Sequence, residues 1–407
     1  MASVLKVDKL DPQSGTALEI GTSGDTITVP SGATFVVAGT TEITGTNNVQ
    51  RPNAQPLIIN GDMAIAQRST SVTAVTTEGY KTCDRFKLNG TVSGAELTII
   101  QEALSSGNAY DDGFRTAWRA DCTTATAPAS GERLELQYKM EAQDCQLFKS
   151  GTSNAQKFTL SFWVKSSYTG ATTVNLFNGD ASSRMIGATY TISVADTWEK
   201  KVLNYAADTT SGFNNDNGIG LYIVFGLAGG SNYTSGSTPS AWQTYSDADV
   251  YPGGTPALSS NTANDWAVTG VQLEVGEYTS STIAPFQHEN YGDNLFRCER
   301  YFTRIGAAQY GYYSNGAIVS ATAAYGYIQN PVSKRTAPTW SHSGASGFQI
   351  FTKAAAAFNV TVLNFSYVYN TGAATVITVA SGLTDGCAYA LHDKGTETTY
   401  LDIDAEL

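Results

Sequence analysis

Lys157-Phe158-Thr159-Leu160-Ser161-Phe162-Trp163-Val164-Lys165 alternates without a break. In an extended chain Phe158, Leu160, Phe162 and Val164 share one face, and the residues between them share the other. A helix would scatter those four apolar side chains around its circumference, so the stretch reads as a strand with one buried face. The pattern recurs on both sides. Leu97–Ile100, Arg133–Tyr138, Thr173–Phe177, Trp198–Leu203, Leu221–Phe225 and Trp266–Glu274 all read as strands, separated by Gly, Asn and Ser turns. Many short alternating strands of this kind predict an all-β chain built as a sandwich. Helical periodicity is almost absent.

Composition narrows the function. The chain has 407 residues, enough for two or three domains. Charged residues make up 15%, against about 25% in an average soluble domain. Net charge is -12 and no basic cluster occurs. Phosphate recognition depends on Lys and Arg, so nucleic-acid binding is excluded. An acidic surface also disfavours anionic membranes. No apolar run reaches the ~18 residues of a membrane span, and Met1–Asp8 has no signal-peptide apolar region. The five cysteines, Cys83, Cys122, Cys145, Cys298 and Cys387, are widely spaced and odd in number. They read as buried reduced thiols in a protein made in a cytoplasm.

Three segments are expected. In residues 1–55, Ile20, Ile27, Phe35 and Ile43 recur every seven or eight residues between Gly/Thr turns. Units this short cannot bury a core alone. They predict an intertwined β-prism shared between identical chains, with those four residues as its core. Residues 56–288 form the sandwich body. Residues 289–407 form a second β domain, with Val360–Phe365 and Ala374–Val379 as strands.

Several stretches resemble bacteriophage tail-fibre and receptor-binding proteins of the marine-phage type. They are Val271–Glu277, Thr282–Glu289 and Arg297–Phe302, together with Asn60-Gly61-Asp62-Met63 followed by Gln67-Arg68. Leu5–Leu10 through Ala38–Thr40 is similar to the N-terminal anchoring segment of such fibres. Phe158–Lys165 followed by Thr197-Trp198-Glu199-Lys200 is similar to jelly rolls of the carbohydrate-binding-module type. The resemblance implies a jelly-roll body, a C-terminal tip domain and a homotrimer anchored to other tail proteins through residues 1–55. It implies a virion tail protein, assembled in the host cytoplasm, that adsorbs to a host-surface glycan or protein receptor. The alternatives are a capsid- or tail-tip-associated adaptor, and a glycan depolymerase.

Catalytic signatures do not emerge. His288, His342 and His392 sit in no catalytic motif; His288 reads as a packing residue and His342 as part of an exposed loop. Sugar cleavage needs two carboxylates about 5–9.5 Å apart. Asp111, Asp112, Asp121 and Glu132 are conceivable, and nothing singles them out, so the expectation is a non-enzyme. No cofactor is expected. The oxygen-rich turn Asn215-Asp216-Asn217 is the alternative, as a structural calcium site. Sugars are held by aromatic faces with amide and hydroxyl partners. Aromatic residues in polar loops are therefore the candidate receptor site: Tyr233, Trp242, Tyr245 and Tyr251 in one loop, Tyr310, Tyr312 and Tyr313 in another.

Overall fold

The computed structural model describes residues 55–407 apart from 181–183, 253–257, 307–310, 353–355 and 396–398. The expected β-prism, with Ile20, Ile27, Phe35 and Ile43, lies outside the described residues. The body comprises β1 (Ser71–Val75), β2 (Gly79–Tyr80), β3 (Phe86–Asn89), β4 (Glu96–Ala103), β5 (Thr116–Thr124), β6 (Arg133–Glu141) and β7 (Phe158–Ser166). It continues through β8 (Gly170–Asn178), β9 (Arg184–Ile192), β10 (Glu199–Tyr205), β11 (Ile219–Gly229), β12 (Gln243–Thr244) and β13 (Asp265–Val275).

These strands form two antiparallel sheets that pack as a jelly-roll sandwich. The six-stranded sheet runs β1-β4-β5-β13-β7-β10 and the seven-stranded sheet β12-β9-β8-β11-β6-β3-β2. Alternation decides what lies between them. Phe158, Leu160, Phe162 and Val164 are all fully buried, facing Leu134, Leu136 and Tyr138 of β6 and Leu221, Ile223 and Phe225 of β11 in one core. Trp118 and Trp266 meet edge to face at 6.0 Å in the same layer. Burying one such side chain contributes roughly 1.5–3 kcal/mol.

The helix Tyr291–Glu299 follows the sandwich, its N-cap Asn290 accepting from the Asp293 amide at 2.9 Å. Beyond it come β14 (Phe302–Gly306), β15 (Tyr312–Ile318), β16 (Ala323–Gln329), β17 (Thr339–His342) and β18 (Phe348–Thr352). The last strands are β19 (Ala357–Tyr369), β20 (Gly372–Val379), β21 (Ala388–Asp393) and β22 (Tyr400–Asp404). Six of these close a barrel, β15-β16-β20-β19-β18-β21, and β14-β22-β17 form a small sheet. His342, expected in an exposed loop, ends β17 instead, with Nε2 3.1 Å from the Leu363 carbonyl. Four cysteines are buried as expected, while Cys387 is exposed in the turn before β21. Among the described residues no helix is long and apolar enough to cross a membrane.

The tail-fibre-like motifs turn out to be the joint between sandwich and barrel. Asn60 adopts φ 60°, and its amide bonds both main-chain groups of Ile65 and the Asp84 carbonyl at 2.8–2.9 Å. A Cβ on Gly61 would stand 2.2 Å from the Val271 carbonyl oxygen, so only glycine lets this turn lie on β13. Arg300 clamps Glu141 with two bonds of 2.6 and 2.7 Å, and the Tyr301 hydroxyl adds a third at 2.7 Å. His288 packs on Phe114 and Phe286 at about 5 Å, the packing role its place in the sequence predicts.

Two carboxylates give this joint an opposed pH response. Burial pushes the Asp84 carboxyl up to about 6, only partly offset by Arg68. Burial also raises Glu141, but its bonds from Arg300 and Tyr301 outweigh it and hold the group below the usual 4.5. A raised folded-state pKa stabilises below the unfolded value and loses that contribution as pH rises through about 6. A depressed one stabilises above 4.5 and is lost on acidification. In urea titrations across pH, the expected result is that Asp84→Asn flattens the fall in stability between the ordinary carboxylate value of 3.8 and about 6, and Glu141→Gln the fall below 4.5. Unchanged limbs would refute this assignment.

Candidate glycan-binding face

The outer face of the six-stranded sheet is largely occupied. Phe114, Trp198 and the helix Asn108–Asp111 pack over Ala117 and Ala267, with Trp163 and Phe286 at the edge. On the outer face of the seven-stranded sheet, Val250 and Tyr251 cover Phe177, Met185 and Val224, and Tyr222, Tyr233 and Tyr245 stay half-buried at the edge of that cluster. The residues of β6 that alternation turns away from the core are Arg133, Glu135, Gln137 and Lys139. On β3 they are Lys87 and Asn89, on β11 Tyr222 and on β8 Phe177. Register brings them together, since Asn89 pairs with Glu135, Lys87 with Gln137, and Tyr222 with both Lys139 and Phe177.

Aromatic rings form one wall of this face. Tyr222 and Phe177 stack with ring planes 13° apart and centroids at 4.9 Å. Tyr245, from the loop between β11 and β13, leans on Phe177 at 6.0 Å. Burial raises the Tyr222 phenol, and burial with the Asp247 bond pushes Tyr245 up to about 12, so both stay neutral at ordinary pH.

A hydrogen-bonded row runs beside the rings. Buried Glu135 accepts from Asn89 at 2.9 Å, Gln137 at 2.8 Å and the Tyr251 hydroxyl at 2.6 Å, and pairs with Arg133 at 3.0 Å. Arg133 donates onward to the Tyr245 hydroxyl at 3.0 Å, which itself donates to Asp247. Four donors commit the Glu135 oxygens and hold the row rigid. Gln137, itself 7% exposed, spends one N–H on Glu135. The half-buried rings of Tyr222 and Tyr245, backed by buried Phe177 and set beside fixed amides and cations, have the chemistry that stacks on a sugar's C–H face and bonds its hydroxyls.

Loop residues expected at the receptor site divide three ways. Tyr233 and Tyr245 reach this face, Tyr233 with the Arg133 guanidinium over its ring at 4.9 Å. Tyr251 is fully buried and cannot offer a stacking face. It lies over Gly226, where a Cβ would stand 2.5 Å from its ring, and serves as the floor that fixes Glu135. Trp242 turns towards the core, donating to the Ala206 carbonyl at 2.8 Å and meeting Phe158 edge-on. Tyr312 and Tyr313 belong to the barrel. Tyr313 is engaged with Phe348 and, through its hydroxyl, with Thr399, whereas Tyr312 is exposed. Tyr310 lies outside the described residues. Tyr222, Phe177, Gln137 and Asn89 went unnoticed in the sequence. The signal for them was the polar half of the alternation in β6 and β11, where a tyrosine stands on the side away from the core.

The conceivable catalytic carboxylates are tied elsewhere. Asp112 accepts from the Trp163 indole at 3.0 Å, Asp121 pairs with Arg119 at 2.6 Å, and Glu132 accepts amides of Ala129 and Ser93. Asp111 sits in the short helix Asn108–Asp111. In the oxygen-rich turn, Asp216 accepts the Gly218 amide at 2.8 Å, Asn217 donates to the Arg335 carbonyl at 2.6 Å, and Asn215 is exposed. This turn docks on the barrel side of the molecule through Arg335. Among the described residues no group of three or more His, Cys, Asp or Glu converges as a metal site.

No protein-family model matches the chain, and no curated protein does. Solved structures similar to it include the enzymatically active domain of tailspike protein 4 from bacteriophage CBA120, at 13% identity and TM-score 0.28 over 54% of this chain. This chain spans 21% of that tailspike. A putative sugar binding protein from Bacteroides thetaiotaomicron is 14% identical, with TM-score 0.28, covering 54% of this chain and all of its own. A family 4 carbohydrate-binding module is 10% identical, with TM-score 0.27, covering 54% and 99%. At these scores one site cannot be laid on another, and the likenesses say nothing of ligand or reaction.

Proposed function

We propose that this chain is a tail-fibre protein of a bacteriophage that attaches to host-surface glycans without cleaving them. The observation that carries the reading is the seven-stranded sheet's outer face, where the half-buried rings of Tyr222 and Tyr245, backed by buried Phe177, stand beside Gln137, Asn89 and Arg133. Its one central carboxylate, Glu135, has its oxygens committed to four donors, which suits a binding surface better than a nucleophile or an acid. The tail-fibre assignment is supported by the motif residues that build the joint. The fibre would be a homotrimer anchored to other tail proteins through residues 1–55. Several copies per particle would turn weak sites into avidity of roughly 10²–10⁴-fold.

The test is a printed array of bacterial-surface oligosaccharides probed with the full chain and with the double variant Tyr222→Ala/Tyr245→Ala. Losing two stacking rings at about 0.5–1.5 kcal/mol each predicts a 5- to 150-fold weaker signal with the fold retained. Equal signals from both proteins would overturn the site, and release of new reducing ends would overturn the non-enzymatic reading. Light scattering of the full chain is expected to give the mass of three chains; a monomer would remove the trimer.

A further inference from the structure

The barrel carries a surface that the jelly-roll reading does not use. Its six strands contain no Lys, Arg or Glu, and besides tyrosine their ionisable side chains are His392 and Asp393, both buried. Yet Tyr325 and Tyr327 on β16 are 51% exposed, and Tyr367 and Tyr369 on β19 are 77% and 59% exposed. β20 separates these two strands and contributes only small outward residues between the rings. Ala374 stands between Tyr327 and Ser366, and Val376 between Tyr325 and Asn364.

Two details show that the rings are placed. The Tyr327 hydroxyl lies 2.3 Å from where a Cβ on Gly372 would stand, and Gly372 is the register partner of Tyr369. Tyr327 therefore lies across β20 towards Tyr369, over a position that only glycine leaves open. Tyr367 adopts φ 48° within a bulge between Ser366 and Tyr369. A left-handed aromatic residue is strained, and such residues cluster at functional positions.

The composition of this face decides among occupants. Permanent subunit interfaces resemble a divided core, and no Leu, Ile, Met or Phe stands outward among these four tyrosines. Rigid amphipathic rings with Asn, Ser, Ala and a single Val between them match the make-up of reversible recognition surfaces. With no cation on the wall and a chain of net charge -12, an acidic ligand has nothing to neutralise it. We propose that the tyrosine face of the barrel is a second carbohydrate site, specific for neutral pyranose chains and separate from the mixed-charge face of the jelly roll.

The experiment compares immobilised neutral hexose tetrasaccharides with uronic-acid-containing tetrasaccharides, using the full chain. The variants are Tyr325→Ala/Tyr327→Ala, Tyr367→Ala, and Tyr222→Ala/Tyr245→Ala on the jelly roll. The expected result is that the barrel double variant loses about fivefold or more in neutral binding, a larger loss than the jelly-roll variant shows. A barrel variant that binds the neutral chains as the wild type does overturns the proposal. So does loss of neutral binding in the jelly-roll variant alone, or a change of mass in a barrel variant, which would make the face a self-association surface. Wild-type binding restricted to acidic chains sinks this proposal and leaves the jelly-roll face standing. Should the double variant not fold, nitration of wild-type tyrosines mapped by mass spectrometry serves instead. Neutral tetrasaccharide is expected to protect Tyr325, Tyr327, Tyr367 and Tyr369, and unprotected rings refute the site.

Discussion

Replacing Arg85 with Ala is expected to cost about 3–5 kcal/mol of unfolding free energy in urea titrations. Arg85 is 1% exposed. Its guanidinium pairs with Glu406, donates to the Lys139 carbonyl at 2.6 Å and lies 3.4 Å over the Tyr301 ring. Removing it leaves the Glu406 carboxylate, 5% exposed, with only Arg68 at 3.5 Å as a cation. Adding Glu406→Gln should then recover part of the loss, because the stranded charge is what costs most. A loss below about 1 kcal/mol would show that the Arg85–Glu406 pair does not help hold the C-terminal strand to the sandwich.

Phe162→Ala is expected to lower stability by about 3–5 kcal/mol, measured the same way. The Phe162 ring is fully buried and meets Tyr190 and Phe225 edge-on, each at 5.1 Å. It bridges the two sheets, so its loss opens a cavity that neither sheet can close without shifting register. Phe162→Leu should cost less than half as much, since most of the volume returns. A Phe162→Ala protein as stable as the wild type would contradict the sandwich core described here.

Local alternation is what made the sandwich legible. Phe158 to Val164 and Leu134 to Tyr138 bury the side chains that the period of two selects, because one face of each strand meets the core and the other does not. Closure of the barrel was not legible. Its order, β15-β16-β20-β19-β18-β21, closes through β16–β20, β18–β21 and β15–β21, which pair strands distant in the chain, and no local pattern encodes such partners. The motif residues were recognisable as a set, but their work is long-range: Arg300 meets Glu141 and Arg68 meets Asp404 across 159 and 336 positions.

The candidate site was half visible for the same reason. Counting aromatic residues in polar loops found Tyr233 and Tyr245, but could not tell Tyr251, the buried floor, from a ring that faces solvent. Trp242 was likewise indistinguishable from an exposed ring until its indole was seen to bond the Ala206 carbonyl. Tyr222 was hidden inside Leu221–Phe225, which reads as core until the outward side of the strand is considered on its own.

The most direct test of the account is isothermal titration of the full chain and of Tyr222→Ala with the strongest array ligand whose binding survives Tyr325→Ala/Tyr327→Ala. The account predicts binding by the wild type, at least threefold weaker binding by the variant, and the same melting temperature for both within a few degrees. Equal affinity in the two proteins would contradict the claim that this sheet face holds the glycan.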